Sequence, residues 1–544
     1  VSAALPWSRA ESLLTFALLF VAVLMVQSWM GALQVERGLY SDDAAHFMNG
    51  LLIRDYLTHA LGNDPMRFAE QYYLHYPKIA PLMWPPLFHV LFGLSLLVGF
   101  GAAPTALFLV GLATAWTAYR LHVIVRQTAG SVLAFVAAGL FLTTPLVMTM
   151  TSVVMLDVMI AALSIEAAYW LARFVSSQSW RHAAAFGGFA AAACLTKGNG
   201  VAVVLIPLLL MAIVGRFDLL RRSGLYVAAA IVLVAAVPVL AVSASFDAGI
   251  GDFGPVTATE VLDRTLLYGA YIWKNTGAGL LGLAAIGAAV AAVRARRRKP
   301  EAVPLVEALL ALLGATVLFH LFNPHLASAG RYLTMAIAPV IAIAMIGIVE
   351  LRSLRGAPGR LAATAIIAIV ILVSAAGRQV VPLVPLGYRT VVAQLAAADQ
   401  LAGRRLLVIS DEIGEGAAVT ETAVLGLEPV PTIVRGSKLL AHGNWVGHDR
   451  LVYDSPMALM QDLEDLHVAY VLLDRSAASS RLIYFSQIAA LTDAQTGRLE
   501  RIQIDSAGGA SRPLELYRVT HSSPGPPKSL RIGLQYTLGR TVEQ

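Results

Sequence analysis

The stretch from Leu13 to Met30, LLTFALLFVAVLMVQSWM, contains no charged side chain. A bilayer core is crossed by about 20 residues of helix, so this run reads as a membrane span. No small-residue cleavage site follows it, so the reading is of a retained span, not a signal peptide. Working outward, the pattern repeats. Span-length apolar stretches fall at roughly 12–32, 104–125, 131–150, 154–174, 181–197, 200–215, 224–243, 276–293, 303–322, 332–350 and 361–380. Beyond Tyr388 no such run occurs and charged residues return at ordinary spacing. The expected fold is a polytopic α-helical membrane protein of about 11 transmembrane helices. A soluble C-terminal α/β domain follows it, with the boundary between 387 and 388.

Composition agrees. The 544 residues are 57% hydrophobic and 14% charged, against about 25% charged in soluble domains, and mean hydropathy is +0.69. A net charge of +6 and a pI near 9.4 could suit nucleic acid, but the basic residues sit in short loops between apolar runs, so no such partner is expected. Every second loop is basic: Arg120 with Arg126, Arg173 with Arg181, Arg216 with Arg221 and Arg222, Arg294 through Lys299, and Arg352 with Arg355 and Arg360. The positive-inside rule places these loops and Arg9 in the cytoplasm. An odd number of spans then puts the C-terminal domain outside, on the periplasmic face of a bacterial inner membrane. The apolar segment Met83–Phe100 would break this alternation if it crossed. It opens on Trp84-Pro85-Pro86 and reads as a helix lying in the outer interface. The single cysteine, Cys194, lies in an apolar run and permits no intrachain disulfide.

The outer loops carry the polar chemistry. The first, about 34–103, opens with Tyr40-Ser41-Asp42-Asp43-Ala44-Ala45-His46-Phe47. Ser41 is a plausible N-cap, and a helix dipole accommodates acids in its first turn; two acids at the head of the longest outer loop point further, to a site. Gln71-Tyr72-Tyr73-Leu74-His75-Tyr76-Pro77-Lys78 follows. It is readable as an aromatic belt with a snorkelling lysine, or with Lys78 as a ligand for a lipid-linked phosphate. Asp157, in Leu156-Asp157-Val158-Met159, stands at the outer end of a span, where an acid is costly and a functional role is the default. Glu166, further along the same span, reads as paired with an inner group. Lys197, in Leu195-Thr196-Lys197-Gly198, and Arg331-Tyr332 place cations at outer boundaries, against the positive-inside pattern. With Lys78 they suggest an outward anion site; His46, His75, Tyr76 and Tyr332 are candidates to line it. A second long outer loop is expected from Ala244 to Asn275. No GxxxxGK[ST] loop or HExxH zinc pair occurs, nor a GxSxG elbow, and no metal site is expected.

Together these motifs resemble the GT-C superfamily of polyprenyl-phosphate-sugar-dependent glycosyltransferases. They are most similar to the dolichyl-phosphate-mannose–protein mannosyltransferase family, whose bacterial members include the lipid A aminoarabinose transferases. The resemblance covers the membrane domain to about residue 380. It implies that Asp42 is the catalytic base and that Asp43, where the family usually has Glu, assists. It further implies that Asp157 supports the acceptor site, and that Lys78, Lys197 and Arg331 hold the donor phosphate. The implied reaction is inverting transfer of a sugar to a hydroxyl acceptor at the periplasmic face. No obligatory cofactor is expected, although a divalent metal at the acidic pair is compatible with it. The partners implied are a polyprenyl-phosphate-linked sugar, membrane lipids and an acceptor (protein, lipid A, glycan or lipid). A reading from another class is a lipid or glycan transporter or flippase. Transporters usually carry repeated halves with broken helices at the midplane, whereas no internal repeat is found here and the polar residues gather at one face.

In the C-terminal region Arg405–Asp411 reads as a buried strand entering a loop. Pro431–Arg435 and Ala469–Asp474 read as further strands, with a helix near Pro456–Leu466 between the last two. Asp411, Glu412 and Glu415, set among Gly414 and Gly416, read as a solvated turn. The tail after Ser522 reads as extended.

Overall fold

The structure, a computed structural model, describes residues 8–81, 83–246, 256–296, 304–323, 330–353, 379–444, 447–494, 497–505, 510–534 and 540–543. The first apolar run forms α1, Arg9–Trp29. It is started by a capping box in which Ser8 Oγ accepts from the Glu11 N–H and the Glu11 carboxylate from the Ser8 N–H. The expected interfacial region holds three short helices, α2 (Ser41–His59), α3 (Pro65–His75) and α4 (Leu87–Leu96). Asp64 caps α3, accepting from the N–H groups of Met66 and Arg67, with Pro65 at the first helical position. In α2 the cap is Tyr40, not Ser41, and makes no side-chain bond. At ten residues α4 is too short to cross a bilayer.

The helices α5 (Ala102–Ala129), α6 (Ser131–Leu142), α7 (Pro145–Thr151), α8 (Asp157–Ser177) and α9 (Trp180–Cys194) follow. Next comes the 3-10 segment Gly198–Leu205, which runs into α10 (Ile206–Val214). After it come α11 (Ser223–Ala235), α12 (Val237–Phe246), α13 (Ala258–Arg296), α14 (Pro304–Phe322) and α15 (Thr334–Ser353). Among the described residues seven helices are long and apolar enough to cross a membrane, or eight if the pair α6–α7, bent by 65°, counts as one span. The chain is a multi-pass membrane protein. The stretches expected as spans at 181–197 and 200–215 form shorter helices, and 361–380 lies outside the described residues. The loop expected up to Asn275 is instead helical from Ala258 onward, with a kink at Gly277 (φ 78°). Its charged residues concealed the helix: Arg264 bonds the carbonyls of Leu321 and Asn323, which α14 leaves open at its C-terminal end.

The C-terminal region is a five-stranded sheet in the order β2-β1-β5-β7-β6. Its strands are β1 (Arg405–Ile409), β2 (Thr432–Arg435), β5 (Val468–Asp474), β6 (Leu499–Ile502) and β7 (Leu514–Val519). The first three are parallel and largely buried, with apolar centres (Leu406–Ile409, Ile433–Val434, Val468–Leu473) and polar residues at their ends, as strands covered on both faces are; β7 and β6 add antiparallel. Two hairpins complete it, β3 (Ala441–Asn444) with β4 (Gly447–Leu451), and β8 (Arg531–Leu534) with β9 (Arg540–Glu543). The tail after Ser522 is therefore extended only until β8. Helix Pro456–Asp465 matches the expected helix. Residues 412–424 are not a solvated turn: they form helix Glu412–Val424, capped by Asp411, with Glu415 wholly buried.

Packing ignores the chain boundary. Buried side chains of α2, α3, α4 and the start of α5 belong to one apolar cluster with the C-terminal sheet, while a second cluster fills the remaining membrane helices. Glu36 fixes the seam, accepting from the N–H groups of Leu386 and Gly387 at 2.8 Å. Arg389 returns bonds to the carbonyls of Gln34 and Val35 and pairs with Glu421.

Candidate active site

The two acids that open α2 have separate surroundings. Asp43 has no exposed surface; its carboxylate accepts from the N–H groups of Gly38 (2.8 Å), Leu39 (3.1 Å) and Val154 (2.9 Å). It staples the loop before α2 to the segment before α8. Asp42, one residue earlier on the helix, is partly open and pairs with Arg331 at 2.5 Å. Adjacent helical positions point about 100° apart, and that angle separates the two environments.

A second ion pair lies alongside. Lys197 donates to both oxygens of Asp157, at 3.1 and 3.2 Å, and both side chains are buried. Asp157 begins α8. Lys197 precedes the 3-10 segment at Gly198 with an extended backbone that turns its side chain back. Tyr332 connects the pairs: its ring centroid is 4.8 Å from the Lys197 ammonium and 5.4 Å from the Arg331 guanidinium, distances suited to cation–π attraction. Asp42, Arg331, Tyr332, Lys197 and Asp157 thus form one continuous constellation, drawn from four places in the chain.

His46 lies one turn after Asp42, buried. Its Nδ1 is 3.1 Å from His89 Nε2, the Trp84 ring lies beside it, tilted by 58° with centroids 4.4 Å apart, and its own Nε2 has no partner among the described residues. Burial pushes the His46 imidazole well below its usual pKa, and the charges of His89, Lys197 and Arg331 push in the same direction.

Lys78 approaches from α3's far end and meets the C-terminal region, where its ammonium donates to the Glu412 carbonyl at 3.4 Å. Burial pushes its pKa down to about 8, assisted by Arg435; Glu412, Glu415 and Asp42 act the other way. The close approach depends on Gly416: a Cβ there would stand 2.9 Å from Ala44 Cβ and 3.3 Å from Lys78 Cε. Arg435 is locked by Glu415 (2.7 Å) and donates to the Pro77 carbonyl (3.0 Å), which fixes the residue before Lys78. His75 and Tyr76 face other partners. His75 Nδ1 is 3.2 Å from both the Pro431 carbonyl and Thr432 Oγ, and Tyr76 packs on Tyr72. Glu166, as expected, pairs away from the site, with Arg120 at 2.5 Å.

The sequence reads Glu412 and Gly416 as part of a solvated turn and Arg435 as a strand end, not as site residues, because they reach Lys78 only through the docking of the C-terminal region. His320, stacked on Tyr332, stands as an isolated polar residue in an apolar run, and Tyr268, which meets His320, falls in the stretch expected as an outer loop, so neither is marked out by the sequence. Among the described residues no group of three or more His, Cys, Asp or Glu is placed to hold a metal ion.

Residues 84–241, less than a third of the chain, match the Dolichyl-phosphate-mannose-protein mannosyltransferase family. No curated protein matches the chain. Solved structures do. The ArnT crystal structure from Cupriavidus metallidurans in the apo state superposes with a TM-score of 0.57 at 15% identity, covering 94% of this chain and 99% of that one. The same protein bound to undecaprenyl phosphate gives 0.53 at 14% identity, with the same coverage. The Archaeoglobus fulgidus oligosaccharyltransferase in its apo form gives 0.55 at 12% identity, covering 96% of this chain and 75% of that one. The chain therefore has the GT-C fold, is similar in fold to ArnT along nearly its whole length, and over residues 84–241 is similar to the dolichyl-phosphate-mannose-protein mannosyltransferase family.

Proposed function

We propose that this protein is a glycosyltransferase that moves a sugar from a polyprenyl-phosphate donor to a hydroxyl acceptor at the periplasmic face of a bacterial inner membrane. The observation that carries this reading is the constellation itself: two carboxylates and two cations joined through Tyr332 at the head of α2 and α8. The undecaprenyl phosphate bound by the Cupriavidus protein supports the donor class, and the alternation of basic loops supports the orientation.

In the reaction, the acceptor oxygen bonds to the anomeric carbon while that carbon's bond to the phosphate oxygen breaks, inverting the centre. Asp42 takes the acceptor proton, and polyprenyl phosphate leaves with the electron pair. Arg331, Lys197 and Lys78 offset the charge that builds on the phosphate. Arg331 holds Asp42, and its own Nε is buried without a partner among the described residues. Phosphate arriving at Arg331 competes for the guanidinium and releases the carboxylate, so that the base is freed when the donor is in place. Asp157 keeps Lys197 oriented, and Asp43 positions the head of α2. No metal is required in this scheme.

The test is transfer from undecaprenyl-phosphate sugars by the full chain in nanodiscs. Asp42→Asn should lower turnover by about 100-fold or more while leaving binding of undecaprenyl phosphate intact. Full turnover by this variant would remove Asp42 as the base. A wild type that uses no such donor would sink the donor assignment.

A further inference from the structure

Beyond the charged constellation, behind Tyr332, two buried polar atoms have no hydrogen-bond partner among the described residues. The His320 ring stacks on Tyr332 (centroids 5.8 Å, interplanar angle 23°), and the Tyr268 ring meets His320 edge-on at 6.1 Å. The three come from separate elements: Tyr268 from α13, His320 from α14 and Tyr332 from the 3-10 turn Gly330–Leu333.

His320 has no exposed surface and Tyr268 only 5%. His320 Nδ1 lies 2.7 Å from the Thr316 carbonyl oxygen, so this nitrogen carries the hydrogen and donates. In the neutral ring Nε2 therefore holds the lone pair. That Nε2 is buried with no hydrogen-bond partner among the described residues, and the Tyr268 hydroxyl is in the same condition. Buried polar atoms are nearly always satisfied, and one that is not calls for an explanation. Here there are two, on touching rings, beside an aromatic face that adjoins both ion pairs. Neither ring is loosely held. The carbonyl of Thr316 fixes His320 from within its own helix, and Arg264 ties down the end of that helix through the carbonyls of Leu321 and Asn323.

An acceptor nitrogen, a hydroxyl that can donate or accept, and a flat aromatic ring are together the chemistry that recognises a ring bearing hydroxyl groups. A phosphate is a poor match, since an anion gains nothing from the lone pair on Nε2. A polyprenyl chain is poorer, since it would leave both polar atoms unpaired. We propose that His320 and Tyr268 bind hydroxyl groups of the glycosyl unit being transferred and so help set which sugar the protein accepts. This rests on the glycosyltransfer reading above and assigns the side of the site that reads the sugar.

The experiment separates the sugar from its carrier. Binding to the full chain in nanodiscs is measured for undecaprenyl phosphate and for undecaprenyl phosphate bearing glucose, mannose or arabinose. Tyr268→Phe removes one oxygen and keeps the ring, so the wall stays packed. It should weaken the best-bound sugar-loaded lipid about threefold to tenfold, the loss expected for one hydrogen bond, and leave bare undecaprenyl phosphate within about twofold. His320→Phe should do the same, and His320→Gln, which keeps an acceptor oxygen, should recover part of the loss. Equal weakening of the bare lipid phosphate, or no change with any sugar-loaded lipid, overturns the proposal. A wild type that binds none of these lipids removes the glycosyltransfer reading, and this inference with it.

Discussion

Two networks of carboxylates and arginines stand at comparable positions in their own folds, and they differ in what they leave open. In the C-terminal sheet, Asp411 follows β1, and Asp474 ends β5, the neighbouring parallel strand. This is the place in an open α/β sheet where ligands commonly bind. Yet everything there is used. Arg512 donates to both oxygens of Asp411, and to Asp474 at 2.5 Å. Asp474 also accepts from the hydroxyls of Ser410, Ser479 and Tyr388 and from the Ser476 N–H. Burial alone would push the Asp474 carboxyl up, but the bonds from Ser410, Ser476, Ser479 and Arg512 hold it below its usual range. At the head of α2 and α8, by contrast, the ion pairs are bordered by buried atoms without partners among the described residues: His46 Nε2, His320 Nε2, Tyr268 Oη and Arg331 Nε. A saturated network fastens a fold, and one with unused donors and acceptors is built for something outside the chain. Position in the fold alone would point to the first of the two; the proposed function rests on the second.

The largest expected effect breaks the saturated side. Asp474→Ala strips Arg512 and three buried hydroxyls of their common acceptor and should destabilise the C-terminal region by about 3–5 kcal/mol. It would be seen as a lowered unfolding midpoint of the full chain in detergent. Asp42→Asn, which disturbs a partly exposed pair, should shift the same midpoint by about 1 kcal/mol or less. Similar midpoints for the two variants would erase the contrast.

The seam between the regions offers a sharper probe. Gly416→Leu inserts a side chain where a single Cβ already meets Ala44 and Lys78. Displacing Lys78 should weaken undecaprenyl phosphate binding about tenfold, the lower end for a hydrogen bond to a charged group. Unchanged binding would show that Lys78 lies outside the phosphate site.

The smallest effect is a pH profile. Lys78, with its pKa near 8, carries its charge below that pH and loses it above. A bound phosphate favours the charged form, so affinity should be flat below about pH 8 and decline above it. Undecaprenyl-phosphate glucose is the suitable probe, since its phosphodiester keeps one charge throughout. Lys78→Arg should extend the flat region towards pH 10, because a guanidinium does not titrate there; a profile identical to wild type would assign the break to another group.

Much of the fold is legible in the sequence. Membrane helices are legible because apolar length is a local property, and the strands at 405–409, 432–435 and 468–474 because a strand covered on both faces has a continuous apolar centre. Helix Glu412–Val424 was misread because its glycines look like turn residues. They serve close packing, and only the partners Ala44 and Lys78 reveal that use. The acidic pair at 42 and 43 shows the same division inside one dipeptide. Sequence alone singled out both acids, and the geometry shows one stapled to three backbone N–H groups and the other held against Arg331.

What the sequence determined by itself was the solvent each segment requires and the residue types that could do chemistry, since hydrophobic length and charge are carried by neighbours along the chain. What only the tertiary structure decided was which polar atoms are spent and which are left over. That depends on partners tens or hundreds of positions away: Arg331 on Asp42, Lys197 on Asp157, and, among the described residues, nothing on His320 Nε2 or Tyr268 Oη.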